Sequence, residues 1–138
     1  MNTSDVGWIG MGRMGSPMAE RLAKAGINLK IWNRTRSKAE PLEKIGASIV
    51  ESPADLSGVE VLATMVSTGS DVEAVYFGEN GVLSGSGVPK IFVDFSSIGV
   101  DQSANIRARL AELGADLVCA PVSGNGKCVK AGKLSAVA

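Results

Sequence analysis

The sequence predicts an α/β fold, a doubly wound and mainly parallel sheet with helices on both faces. Three observations carry this expectation. Apolar runs of strand length alternate with stretches of helical spacing, glycine closes three of those stretches just ahead of the next run, and the first run leads straight into a glycine-rich turn.

The elements follow in order. Val6–Ile9 is the first strand, and residues 14–25 then place Met14, Met18, Leu22 and Ala25 at helical spacing. Gly26 turns the chain into a second strand at 28–32, and Gly46 into a third at 47–50. Ser52-Pro53-Ala54-Asp55 reads as a helix start with its capping acid, as does Ser70-Asp71-Val72-Glu73 beyond the fourth strand at 59–66. Residues 78–89, rich in glycine and serine, read as a long surface loop before a fifth strand at 90–95. A helix at 101–113 carries Ile106, Leu110 and Leu113; Gly114 ends it, and Asp116–Cys119 is the sixth strand. Residues 134–138 open a further apolar run. The whole of 1–138 has the size of one domain.

Composition removes several function classes. Fourteen basic and fourteen acidic residues give zero formal charge, a balance that argues against nucleic acid or an acidic membrane as partner, since either calls for a large basic patch. Aromatic residues are 4% of the chain, too few for base-stacking platforms. Cys119 and Cys128 match no metal-ligand spacing, and no leader or long apolar run stands out, which points to a reducing cytoplasm. Histidine is absent, so acid–base chemistry must use lysine, a carboxylate, tyrosine or groups supplied elsewhere.

The turn after the first strand contains Gly10, Met11, Gly12, Arg13, Met14 and Gly15, which fits G-x-G-x-x-G in the required strand–turn–helix context. Gly10 permits the tight turn, Gly12 lets the backbone approach a pyrophosphate, and Gly15 allows close helix–strand packing. The helix that follows aims its positive end at the phosphates. A plain glycine-rich turn is the alternative. These features predict a Rossmann-type dinucleotide-binding domain. The second strand ends in Asn33, Arg34 and Thr35, where an NAD site usually carries Asp or Glu for the ribose hydroxyls. Asn33 removes that carboxylate, Arg34 offers a fork suited to a 2′-phosphate, and Arg36 adds positive field, so NADP is expected, with NAD possible. A solvated basic turn is the alternative here.

Gly10 to Ala19, Trp32 to Thr35, Thr64 to Ser67, Asp94 to Ile98 and Ala120 to Gly124 together resemble the β-hydroxyacid dehydrogenase family, which includes 3-hydroxyisobutyrate dehydrogenase. The stretch from Pro41-Leu42 to Gly46-Ala47, with Trp32 to Thr35 and Lys127, looks most like the glyoxylate and succinic-semialdehyde reductase branch. The resemblance implies cofactor contacts from Val66, Ser67, Asp71 and Ser97, and substrate contacts from Ser123, Gly124 and Asn125. It implies hydride transfer between NADP(H) and a small β-hydroxyacid or its aldehyde counterpart, in an intact enzyme that is a homo-oligomer. Turn chemistry is the alternative for Ser97 and Ser123. The chain departs from the family at Cys119, usually Asp, at Asn125, often Gly, and at Phe95, often a small residue.

The family's catalytic lysine belongs to a helix that would follow Ala138 and lead to an all-helical second domain. The chain stops inside an apparent strand, so it is expected to be a piece that binds cofactor without turnover, with no catalytic residue of its own. Lys127, Lys130 and Lys133 read as a solvated basic loop. Competing readings are a 6-phosphogluconate dehydrogenase or imine reductase relative, which shares the fingerprint, and a non-catalytic nucleotide-binding module.

Overall fold

A computed structural model describes residues 5–96 and 98–120, together with the backbone of Val122–Ser123 and Ser135–Ala136. Its strands are β1 (Val6–Ile9), β2 (Leu29–Trp32), β3 (Ser48–Ile49), β4 (Val61–Thr64), β5 (Ile91–Asp94) and β6 (Asp116–Cys119). They form one parallel sheet in the order β3-β2-β1-β4-β5-β6, the doubly wound arrangement. The pairing puts Trp32 beside Ile9, Ile9 beside Thr64, Thr64 beside Asp94 and Asp94 beside Cys119. The carboxyl ends of five strands therefore lie in one row. Strand order reverses between β1 and β4, which is where such sheets open a ligand crevice.

Side chains alternate across the strands, so one sheet feeds two cores. Trp8, Leu29, Ile31 and Ala63 face α1 (Gly15–Lys24) and the 3-10 turns at Glu40–Ile45. Ile9, Leu62, Phe92 and Leu117 face α2 (Gly69–Phe77) and α3 (Val100–Ala111) through Val72, Tyr76, Ile106 and Leu110. Gly26, Gly46 and Gly114 all have positive φ, as their joints between helical turn and strand require.

Several expectations need correction. The inward face of α1 is Gly15, Ala19 and Ala23, while Met14, Met18 and Leu22 are half-buried flanks and Ala25 is exposed. Close approach of this helix to β1 leaves room only for small side chains on the facing stripe. Residues 53–56 make a single 3-10 turn rather than an α-helix, though the capping box of Ser52 and Asp55 does form. The cap of α2 is Thr68, two residues before Ser70, with Asp71 completing its box. α3 stops at Ala111, and Leu113 lies half exposed in the turn beyond. The stretch 78–89 is not wholly a surface loop: its 3-10 turn Val82–Ser84 sends Val82, fully buried, into the core beside Tyr76. Ser135–Ala136 pairs antiparallel with Val122–Ser123 in a separate two-stranded sheet and does not extend the main one.

Candidate cofactor site

Where β1 and β4 diverge, a cleft of about 400 Å³ opens at their carboxyl ends. Residues 10–15 form its floor, Asn33, Arg34 and Thr35 one wall, and Val66, Ser67 and Asp71 the other. Twelve of the thirteen residues expected at the cofactor thus line a single cavity. Ser97, the thirteenth, lies outside the described residues, as do Gly124 and Asn125. Ser123 is described only as backbone, in the short strand Val122–Ser123.

The three fingerprint glycines meet different demands. A Cβ at Gly10, where φ is +109°, would lie 2.0 Å from the Met65 carbonyl oxygen, and one at Gly15 would lie 2.1 Å from the Gly10 carbonyl oxygen. Both are requirements of the protein's own packing. A Cβ at Gly12 meets nothing within 4 Å, so the fold does not need glycine there. The space beside Gly12 is open to the cleft. The start of α1 borders the same cleft: Met14 offers no side-chain cap, and no acid sits in the first turn. The first N–H groups of a helix need an acceptor, and α2 receives one from its own capping box. In α1 the Ser16 N–H already donates to the Gly12 carbonyl at 3.0 Å and Pro17 carries no N–H, so Gly15, which lines the cleft, is the first-turn position left to offer one.

Asn33 has a role its position in the sequence did not disclose. Its Oδ1 accepts from the Met11 backbone N–H at 2.9 Å, and its Nδ2 donates to the Thr35 carbonyl at 2.9 Å. The amide clamps the glycine turn to the wall after β2. Arg34 is 83% exposed at its side chain and lies 3.4 Å from Asp71 across the cleft. Arg36 corrects an expectation, because it turns away to Glu51 at 3.2 Å and does not line the cavity. Lys38 does line it, one 3-10 turn later, and sequence reading passed over it.

Behind the cleft lies a buried polar network that was also missed. The Thr64 hydroxyl donates to Asp94 Oδ1 at 2.8 Å and stands 2.9 Å from the Tyr76 hydroxyl. With Thr64's proton directed to Asp94, Tyr76 is the donor to Thr64. The Ser96 N–H donates to the same Asp94 oxygen at 3.1 Å, and the Ser96 hydroxyl accepts from the Val66 N–H at 2.8 Å. Thr64, Asp94 and Ser96 are all buried, and Asp94 Oδ2 has no described partner. Burial pushes the Asp94 carboxyl above its ordinary range, against the opposing hydrogen bonds from Ser96 and Thr64. Burial likewise pushes Tyr76 far up, with the neighbouring Asp94 charge adding to the shift, so Tyr76 remains a neutral donor. The network anchors Val66 and with it the wall that ends β4. Phe95 packs on Trp8, rings 6.0 Å apart, and Trp8 Nε1 donates to the Gly10 carbonyl at 2.7 Å, bracing the turn from below.

Comparisons with known proteins agree with this geometry. A family model described as the NAD binding domain of 6-phosphogluconate dehydrogenase matches residues 5–138. The chain is 37% identical over 135 residues to glyoxylate/succinic semialdehyde reductase 2, chloroplastic, of Arabidopsis thaliana, covering 97% of this chain and 38% of that protein. It is 32% identical to 3-hydroxyisobutyrate dehydrogenase of Pseudomonas aeruginosa, covering 96% of this chain and 45% of the other. A solved structure of Psf3 in complex with NADP+ and 2-OPP superposes with a TM-score of 0.87 at 34% identity, covering 95% of this chain and 47% of that one. The chain spans less than half the length of each of these relatives. Fold, cleft and relatives agree: the chain belongs to the family of the NAD binding domain of 6-phosphogluconate dehydrogenase, within its 3-hydroxyisobutyrate dehydrogenase group.

Proposed function

We propose that this chain is the nucleotide-binding domain of an NADP-dependent oxidoreductase acting on a small β-hydroxyacid or its aldehyde counterpart, in the cytoplasm. The observation that carries the cofactor choice is the wall after β2: Arg34 and Lys38 line it, and Asn33 stands where a carboxylate would repel a 2′-phosphate. Arg13 adds a third cation on the floor of the cleft. When bound, the cofactor supplies hydride chemistry. The residues of this chain bind and orient it: Gly12 leaves the approach open, the start of α1 faces the phosphates, Val66 and Ser67 contact the cofactor from the opposite wall, and Ser97 is assigned a place near the nicotinamide on the family resemblance. Ser123, Gly124 and Asn125 are assigned the substrate's carboxylate or hydroxyl, on the family resemblance. Proton transfer is assigned to the family lysine, which matches no residue of this chain, so the chain alone binds without turnover.

Titration of the protein with NADP+ and NAD+ tests the cofactor assignment. NADP+ is expected to bind more tightly, and Arg34→Ala is expected to lower NADP+ affinity about tenfold or more, since charged hydrogen bonds are each worth roughly 1.5–3 kcal/mol. NAD+ affinity should move little. Equal affinity for the two cofactors in the wild type defeats the assignment.

A further inference from the structure

Asp71 lies in the same cavity as the cations assigned to the 2′-phosphate, and it is the one acidic side chain among the described residues of its lining. Two hydrogen bonds hold it in place: its Oδ2 accepts from the Thr68 N–H at 3.2 Å, and its own N–H donates to the Thr68 hydroxyl at 3.1 Å. The remaining oxygen, Oδ1, stands 3.4 Å from Arg34 Nη2. The capping box therefore fixes a negative charge on the α2 side of the cleft, facing a long and largely exposed cation on the β2 side.

The geometry points to Asp71 as a determinant of cofactor choice that weakens binding of the 2′-phosphate by competing for Arg34. The inference rests on the proposal that Arg34 takes that phosphate. A phosphate dianion arriving at Arg34 must separate it from Asp71 and then remain near a carboxylate that the helix cap prevents from moving away. An adenosine ribose with a free 2′-hydroxyl leaves the pair in place and offers a donor to the carboxylate. Asp71 thus shifts the balance toward NAD+ in a site whose cations favour NADP+.

Asp71→Asn tests this, because the amide oxygen still accepts from Thr68 and only the charge is lost. The readout is the ratio of NADP+ to NAD+ affinity in each variant, which cancels any change in the folded fraction. The ratio is expected to rise roughly 3- to 10-fold, the upper range of exposed ion-pair effects with a doubly charged ligand. Asp71→Ser, which also removes the charge, must shift it the same way. A ratio at or below the wild-type value in either variant overturns the inference, whatever the wild-type preference. Failure of the phosphate assignment is read separately, from Arg34→Ala leaving NADP+ affinity unchanged.

Discussion

Gly15→Ala and Gly10→Ala are expected to destabilise the protein by about 3 kcal/mol or more each, while Gly12→Val leaves stability within roughly 0.5 kcal/mol of wild type and abolishes cofactor binding. At Gly15 and Gly10 the atoms in the way are backbone carbonyl oxygens, which cannot rotate aside as a side chain can. Relief requires α1 to move off β1, or β1 to move off the loop after β4, and both contacts lie at the middle of the sheet. Gly10 adds the strain of φ +109°, a conformation that alanine rarely adopts. Gly12 has neither constraint, so a branched side chain there projects into the space assigned to the pyrophosphate. Denaturant unfolding and NADP+ titration on the same samples separate the three variants. The glycine assignment is wrong if Gly12→Val unfolds as readily as Gly15→Ala. A folded Gly12→Val that binds normally would move the cofactor site elsewhere.

Much of this architecture was legible because the central strands β1 and β4 are buried along most of their length and stand out as apolar runs, and because glycine marks three of the joints. The fingerprint fixed the first crossover, and residues 10–15 and 33–35 do meet in one cleft. What escaped the sequence depends on three-dimensional closeness. The inner stripe of α1 is small because the backbones nearly touch, so hydrophobicity alone picked out the flanks, Met18 and Leu22, and passed over Gly15, Ala19 and Ala23. Val82 is a fully buried hydrophobic residue in a stretch rich in glycine and serine, with no periodicity to reveal it. Arg36 and Lys38 are chemically alike, and only the handedness of a 3-10 turn decides that Lys38 returns to the cavity. Thr64 and Asp94 were the clearest missed signal: two polar residues at the last positions of otherwise apolar strands, placed side by side by the register. The roles assigned to Ser97 and to residues 123–125 rest on the resemblance, since their side chains lie outside the described structure.

Asp94→Ala is expected to cost about 2–4 kcal/mol, because it leaves the Thr64 hydroxyl and the Ser96 N–H buried without their common acceptor. The loss should reach the site as well. Ser96 holds the Val66 N–H, so a loosened Ser96 frees the wall of the cleft and weakens NADP+ binding in the fraction that remains folded. Asp94→Asn retains an oxygen acceptor, costs less, and isolates the effect of charge. Burial raises the folded-state pKa of Asp94 above its value in the unfolded chain, so between the two values the folded state holds the extra proton. The contribution of this group is therefore fully present below the unfolded carboxylate pKa of about 4, and it is lost as pH rises through the folded pKa. Asparagine cannot ionise. The stability of wild type relative to Asp94→Asn should then be greatest in acid and decline toward neutral pH, as measured by denaturant unfolding at a series of pH values. A difference that stays constant across the series, or that grows as pH rises, would show that Asp94 is folded as a well-solvated carboxylate and that the network does not hold it as a buried acid.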